Sequence, residues 1–430
     1  MTQRIIIIPK QRLVRPDEIF GIRQLVQQVT PADLYHGVIQ LTEGMAYNDV
    51  GDFVATYLHK YCNQIHTMDD LEKFANEALA SLDDPYTRFL GPKKTEAQSD
   101  ERKGTITGIG VVFKADLDED GNLVVDRLIE EGPAYQAGRR PMDVIVKVGR
   151  FKVANKDRRE IVDMITGEAG TVVKITVKRG DETMVFDITR GIIDIPAVRV
   201  ERVGKDGKIA FLKFSTFMQD DAADEMENAL TTNADADGYI VGLRFNPGGQ
   251  VGNCLKIASM FIKEGVIVKI RQRVPNAGYQ TTVFRLTEDK LVMDITNEDT
   301  NQTFTRESPR APYLADGKPV VVLIDKWSAS ASEMLAGALK DNGVATIVGK
   351  TSYGKGIGQT PQPLVLNTML VVTTLRYFSP NGDWFGDAHK DKRGVTPHFE
   401  VSNPESAMPG GPEDKQLAKA IELIESGGVA

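Results

Sequence analysis

Two runs of apolar residues, each followed by a helical pattern, limit the fold more than any other feature of the sequence. Tyr239-Ile-Val-Gly-Leu-Arg-Phe245 precedes a helical pattern through Phe261, and Val320-Val-Val-Leu-Ile324 precedes another from Ala331 to Lys340. A short apolar run suits a buried strand, and strands alternating with helices predict an α/β layer. The second half of the chain is therefore expected to be an α/β domain.

The remainder has a different texture. Between Thr105 and Arg190 lie short strands such as Asn122–Val125 and Val172–Val177, punctuated by Gly121, Gly132, Gly138, Gly170 and Gly180. That pattern predicts a small β-rich domain. Before it, Thr30 and Pro31 read as a helix cap and first helical position, followed by Leu34, Val38, Ile39 and Leu41 at roughly helical spacing, so the first hundred residues are expected to be mostly helical. Residues 404–413 read as a Pro/Gly loop, and Leu417, Ile421 and Ile424 mark the apolar face of a closing helix. At 430 residues the chain should hold two or three domains. The expected division is a mostly helical region 1–104, a β-rich domain 105–190, and an α/β core 191–430 with its C-terminal helix.

Hydrophobic content of 41% and charged content of 26% are those of a soluble globular protein. A net charge of −8, with no basic block, argues against a nucleic-acid partner. Cys62 and Cys254 make neither a disulfide framework nor a metal-spaced cluster, so free structural thiols are expected. The run Ile5–Ile8 is too short for a signal-peptide core, and nothing approaches the roughly 18 apolar residues of a membrane span. A soluble or already processed chain is expected.

Gly349-Lys-Thr-Ser-Tyr-Gly-Lys-Gly356 fits the first seven positions of a phosphate loop and follows the apolar run Ala345–Val348. Its eighth position is Gly356, where such a loop needs a Ser or Thr hydroxyl on magnesium. A nucleotide hydrolase is thus a weak rival, and Lys355 is open to another task.

Serine hydrolysis needs a hydroxyl at a sharp junction, a base, and donors for the oxyanion. Asp325-Lys-Trp-Ser-Ala-Ser-Ala-Ser-Glu333 lies between a strand and a helix, with Ser330 at the junction. Ser330 and Glu333 also spell a capping box, and on this segment alone capping is the better reading. Asn246-Pro-Gly-Gly249 ends the other strand, and its glycines let backbone N–H groups approach a ligand, although an ordinary strand-to-helix turn explains them equally well. None of His36, His59, His66, His389 and His398 stands beside a serine-bearing junction. A lysine serves as base when burial lowers its pKa. Lys355 suits that role: Gly354 and Gly356 admit a neighbouring backbone, and Gln359 shares its face if the segment is extended.

Taken together and in this order, these elements resemble the carboxyl-terminal processing peptidases, or tail-specific proteases, serine/lysine endopeptidases that carry a PDZ domain. The resemblance covers nearly the whole chain. It implies an α/β multidomain fold with a ClpP/crotonase-like peptidase core, Ser330 as nucleophile, Lys355 as general base and Gln359 as its support. Lys355 follows Ser330 by 25 positions, the family's usual separation, which favours Ser330 over Ser328 and Ser332. Leu243-Arg-Phe-Asn-Pro-Gly-Gly249 resembles the family's L-R-N-N-P-G-G and implies an oxyanion hole of Gly248 or Gly249 with Ala331. Leu82-Asp-Asp-Pro-Tyr-Thr-Arg-Phe-Leu90 resembles its L-D-P-Y-S-R-F-L.

Gly108-Ile109-Gly110-Val111 takes the place of a PDZ carboxylate-binding loop, and Gly132-Pro-Ala-Tyr-Gln-Ala-Gly138 resembles S-P-A-x-x-A-G. Protein substrates with flexible apolar C-terminal tails are the implied partners, with neither metal nor nucleotide as cofactor. Arg140-Pro-Met-Asp143 and Gly394-Val-Thr-Pro-His398 depart from the family's K-P-G-D and G-I-x-P-D, and residues 268–318 are longer than the matching segment. The resemblance also allows a homodimer through the N-terminal region and suggests an extracytoplasmic setting, although the sequence displays no export signal. The alternative is a catalytically inert PDZ scaffold that binds C-termini, with Ser330 only a cap.

Overall fold

The computed structural model describes residues 50, 54, 57–113, 117–129, 132–154, 156–274, 278–404 and 409–429. The helix expected from Thr30 and Pro31 lies outside the described residues. The described residues divide into two compact units, one within residues 100–197 and the other from the described residues on either side of them.

The larger unit is built on a six-stranded sheet: β1 (Val198–Val203), β2 (Ile209–Phe214), β3 (Gly238–Gly242), β4 (Val320–Ile324), β5 (Thr346–Gly349) and β6 (Phe399–Glu400), neighbours in that order. β1 is antiparallel to β2, and all later pairs are parallel. Every residue of β3 and β4 is buried, as expected of parallel strands covered on both faces. Helices α1 (Ala222–Thr232), α2 (Val251–Phe261) and α3 (Ala331–Asp341) link β2 to β3, β3 to β4 and β4 to β5; α4 (Lys415–Glu425) closes the chain. Right-handed crossovers between strands laid down in sequence gather the linking helices on one face. α2 accordingly touches both α1 and α3. The other face is covered by α4, whose Leu417, Ala420, Leu423 and Ile424 meet Ile209, Phe211, Ile240, Val321, Leu323 and Val348.

The apolar run after Gly238 stops being a strand at Gly242, before the expected Phe245. Pro247 has no N–H to donate to a ladder, and Asn246 turns its side chain to local backbone groups instead, donating to Phe214 O at 2.9 Å and accepting from Gly248 N–H at 2.9 Å.

A second, antiparallel sheet of the same unit runs Arg88–Leu90, Met369–Phe378, Gly265–Val274, Gly278–Leu286, Lys290–Asn297, Thr303–Pro309, with Ile357–Pro363 also paired to Met369–Phe378. Much of the long segment 268–318 thus serves as arms of this sheet. Helix Met68–Ala80, capped by Thr67 and Asp70, buries Leu71, Phe74, Ala75 and Leu79 against Phe89, Leu370 and Val372. This packing fixes Leu82–Leu90 beside the strand pair that follows Lys355.

In residues 100–197 a six-stranded sheet joins Val111–Phe113, Leu123–Leu128, Val144–Val148, Val172–Arg179 and Glu182–Thr189 in that order, with Phe151–Lys152 on Val144–Val148. Thr105–Gly108 pairs separately with Gly191–Asp194. Alternate residues Val173, Ile175 and Val177 turn into a core with Ile109, Leu123, Ala134, Ile145 and Ile161.

Candidate active site

At the C-terminal end of β4 the chain turns through Asp325–Ala329 into α3, and the three serines there meet different fates. Ser328 Oγ donates to Leu243 O at 2.7 Å and accepts from Asp325 N–H at 3.0 Å, and Ser332 Oγ donates to Asn246 O at 3.0 Å. Both side chains are fully buried. Ser330 is only partly buried and has φ 57°, ψ −115°, a left-handed backbone that a non-glycine residue adopts at a cost of order 1–3 kcal/mol and that clusters at active sites. Of the three, Ser330 is the one whose hydroxyl is presented at the junction.

Glu333 holds that junction. Its Oε2 accepts the N–H groups of Ser330 and Lys355, both at 2.8 Å, while Oε1 accepts Ser352 Oγ and Gly354 N–H, both at 2.6 Å. The backbone nitrogens of Ser330 and Lys355 therefore lie within two hydrogen-bond lengths of each other. Burial raises the Glu333 pKa, against the opposing pull of its four donors. Since all four lone-pair sites face donors, the carboxylate is the form this geometry accommodates. The sequence read Glu333 only as a helix cap; nothing in local spacing signalled that it would also reach positions 352, 354 and 355.

Lys355 lies on a segment crossed by residues 385–393. A Cβ on Gly354 would sit 2.9 Å from Arg393 N, and one on Gly356 would sit 2.9 Å from Gly386 N and Phe385 N. Both flanking glycines thus allow close backbone approach. The Lys355 Nζ lies over the Tyr86 ring, 4.4 Å from its centroid, and makes no direct hydrogen bond to Ser330 Oγ in this structure. Burial and the nearby Arg88 charge lower its pKa to about 8, against Glu333 and Asp84. Gly356 leads into strand Ile357–Pro363 rather than a helix, so this is not the strand–loop–helix of a phosphate loop.

Gln359 does not reach the amine. Its Nε2 donates to Thr373 Oγ1 at 3.1 Å. The register shift opposite Gly358 and Gln359 leaves Thr374 of the neighbouring strand as the extra residue.

The turn Leu243–Gly249 abuts the serine junction. A Cβ on Gly248, whose φ is +92°, would lie 2.6 Å from Ala329 O and 2.8 Å from Ala331 N, so only glycine fits there. Gly248 N–H is already donated to Asn246 Oδ1. Among the described residues, the N–H groups of Gly249 and Ala331 have no protein acceptor, the latter as a first-turn helix donor. Arg244 anchors the turn from behind through a bidentate pair with Asp414, 2.7 Å on each arm.

In the 100–197 unit, Gly108 ends one strand and Val111 begins another, at an edge of its sheet. Gly110 has φ +75° and its Cα faces Gly132, where a Cβ would lie 3.3 Å away. The carbonyls of Ile109 and Gly110 accept from Ala134 and Ile129 N–H, whereas their own N–H groups have no protein acceptor among the described residues.

The model of peptidase family S41 matches residues 208–401. The carboxy-terminal-processing protease of Bartonella bacilliformis is 32% identical over 340 residues, which are 78% of this chain and 70% of that protein. Carboxyl-terminal-processing peptidase 2, chloroplastic, of Arabidopsis thaliana is 31% identical over 346 residues, 77% of this chain and 61% of that one. The matched stretch thus spans 61–70% of these relatives' length. An S41 protease structure from Bacteroides fragilis aligns with TM-score 0.52 at 16% identity, covering 83% of this chain and 90% of that one, a likeness of fold. Among the described residues no helix is long and apolar enough to cross a membrane.

Proposed function

Because this chain belongs to the carboxyl-terminal processing peptidases of family S41, a family of serine-type hydrolases, we propose that it cleaves protein substrates near flexible, apolar C-termini with Ser330 as nucleophile and Lys355 as general base. The observation that carries this reading is the shared grip of Glu333 on the backbones of both residues. Neutral Lys355 takes the Ser330 proton as Oγ attacks the scissile carbonyl, then returns it to the leaving amine, leaving an acyl-enzyme for water to hydrolyse. The N–H groups of Ala331 and Gly249 receive the oxyanion, with Gly248 setting the close approach, at about 2.7–4 kcal/mol per donor. Gln359, held to Thr373, orients the strand beyond the base.

Residues 105–190 act as the PDZ domain in this reading. The free N–H groups at Ile109 and Gly110 supply donors for a terminal carboxylate between Gly108 and Val111, and the tail adds as a strand to the open edge at Val111–Phe113. The crossovers of the core sheet, with their helices on one face, support a ClpP/crotonase-like peptidase core.

The testing experiment is mass spectrometry of a disordered reporter with varied last residues, incubated with wild type and with Ser330→Ala. Cleavage by wild type that depends on an apolar C-terminus is expected; identical cutting of reporters with apolar, charged and amidated ends would remove the tail-recognition part. The base also predicts a pH profile. Only the neutral amine accepts a proton, so kcat/KM should rise with pH through about 8 and level off above it, with roughly a tenth of the limiting rate at pH 7. A profile flat from pH 6 to 9 would exclude Lys355 as the titrating base.

A further inference from the structure

Leu82–Leu90 is singled out by sequence, has no part in the reaction above, and lies against its base. Strand Arg88–Leu90 pairs with Met369–Val371, and Thr87 Oγ1 accepts Thr373 N–H at 3.0 Å and donates to Asp84 Oδ2 at 2.7 Å. Arg88 Nη1 donates to the Tyr86 carbonyl at 3.0 Å, and the Tyr86 hydroxyl meets that of Tyr353 at 3.4 Å. The Tyr86 ring is thus held at backbone and tip, with the Lys355 Nζ over its face.

We propose that Tyr86 and Arg88 are positioning residues for Lys355: the ring of Tyr86, whose carbonyl is held by the Arg88 guanidinium, seats the ammonium apart from Ser330 until the amine leaves the seat for the hydroxyl. This rests on the Ser330/Lys355 reading. A ring quadrupole attracts the cation and gives the neutral amine little, so loss of the proton is what loosens the seat. The ammonium gives its proton to water. The amine lone pair then takes the Ser330 hydroxyl proton as Oγ bonds to the carbonyl carbon and the carbonyl π pair moves to oxygen. Arg88 opposes the charged form, while Glu333 from α3 and Asp84 on the segment favour it. The other polar groups nearby are the Tyr353 phenol with Lys392 over its ring, and Asp387, which pairs with Lys355 through the backbone. Burial and the Tyr353 hydrogen bond raise the Tyr86 pKa, so its hydroxyl stays protonated throughout.

The test uses the full chain as wild type, Tyr86→Leu, Tyr86→Phe, Arg88→Met and Arg88→Lys, with circular dichroism to establish folding. Acetylation of Lys355 by acetic anhydride, followed by mass spectrometry across pH, reads its protonation without relying on turnover; kcat/KM on a reporter is measured in parallel. The wild-type midpoint is expected near about 8. Arg88→Met should raise it by about one unit and Tyr86→Leu lower it by roughly 0.5–1 unit, while Tyr86→Phe and Arg88→Lys stay close to wild type. The acid limb of kcat/KM should move in step. Wild-type midpoints in folded Tyr86→Leu and Arg88→Met overturn the proposal directly. Midpoints that move while the limb does not overturn it through its premise, because Lys355 is then not the base.

Discussion

Ser330→Ala is expected to lower turnover of a tailed reporter by about 10⁴–10⁶-fold, and Lys355→Ala by a similar factor, because nucleophile and base act as one unit. The effects should not add: once the hydroxyl is gone there is no proton for the amine to take, so the double variant should be no slower than Ser330→Ala within error. Stability should barely change in Ser330→Ala. The N–H that Glu333 holds remains, the lost hydroxyl is only partly buried, and alanine inherits the same left-handed backbone. Urea denaturation should place it within about 0.5 kcal/mol of wild type. Ser328 and Ser332 supply the control. Their hydroxyls bond Leu243 O and Asn246 O inside the protein, so Ala variants there should cost about 1–3 kcal/mol of stability with residual turnover. Undiminished cleavage by folded Ser330→Ala would end the assignment.

The second large effect is at Glu333. A glutamine there replaces one carboxylate oxygen by an NH₂ donor. Each oxygen accepts two hydrogen bonds, and three of the four donors are backbone N–H groups that cannot rotate away. Turned toward Ser330 and Lys355 the amide NH₂ meets two backbone donors; turned the other way it meets Gly354 N–H and a Ser352 hydroxyl that must reverse from donor to acceptor. Ser352 cannot adapt freely either, since its Oγ also accepts Val395 N–H at 2.6 Å. Glu333→Gln is therefore expected to cost about 3–5 kcal/mol, the usual penalty for breaking a buried charged cluster, and to reduce kcat/KM by at least about 100-fold through misplacement of the Ser330 and Lys355 backbones. Chemical denaturation and single-turnover kinetics would measure the two losses separately. A variant with wild-type stability and rate would show that the four bonds are not what sets the junction.

How far the sequence could be read depends on the range of the interactions involved. The runs at Val320–Ile324 and Tyr239–Gly242 were legible because strands buried on both faces are continuously apolar, and the closing helix at Leu417 to Ile424 because its buried face repeats with the period of the helix. The family was legible because short motifs stand in order along the chain. The early end of the strand at Gly242 was not, since it depends on what Asn246 finds across the turn. Nor does spacing reveal the partner of Gln359: its distance along the chain implies a face shared with Lys355, while the group its amide meets, Thr373 Oγ1, is on another strand.

The residue types needed for serine chemistry, and the buried parallel strands that carry them, follow from the order of apolar, glycine and hydroxyl residues, because propensity and periodicity act within a few positions. Which of three serines is presented, that one carboxylate binds the backbones on both sides of the site, and that the lysine rests on a tyrosine more than 260 residues earlier, were decided only by the folded protein. Contacts of that kind form when distant segments close on one another, and hydrogen-bond geometry across such a closure leaves no local trace in the chain.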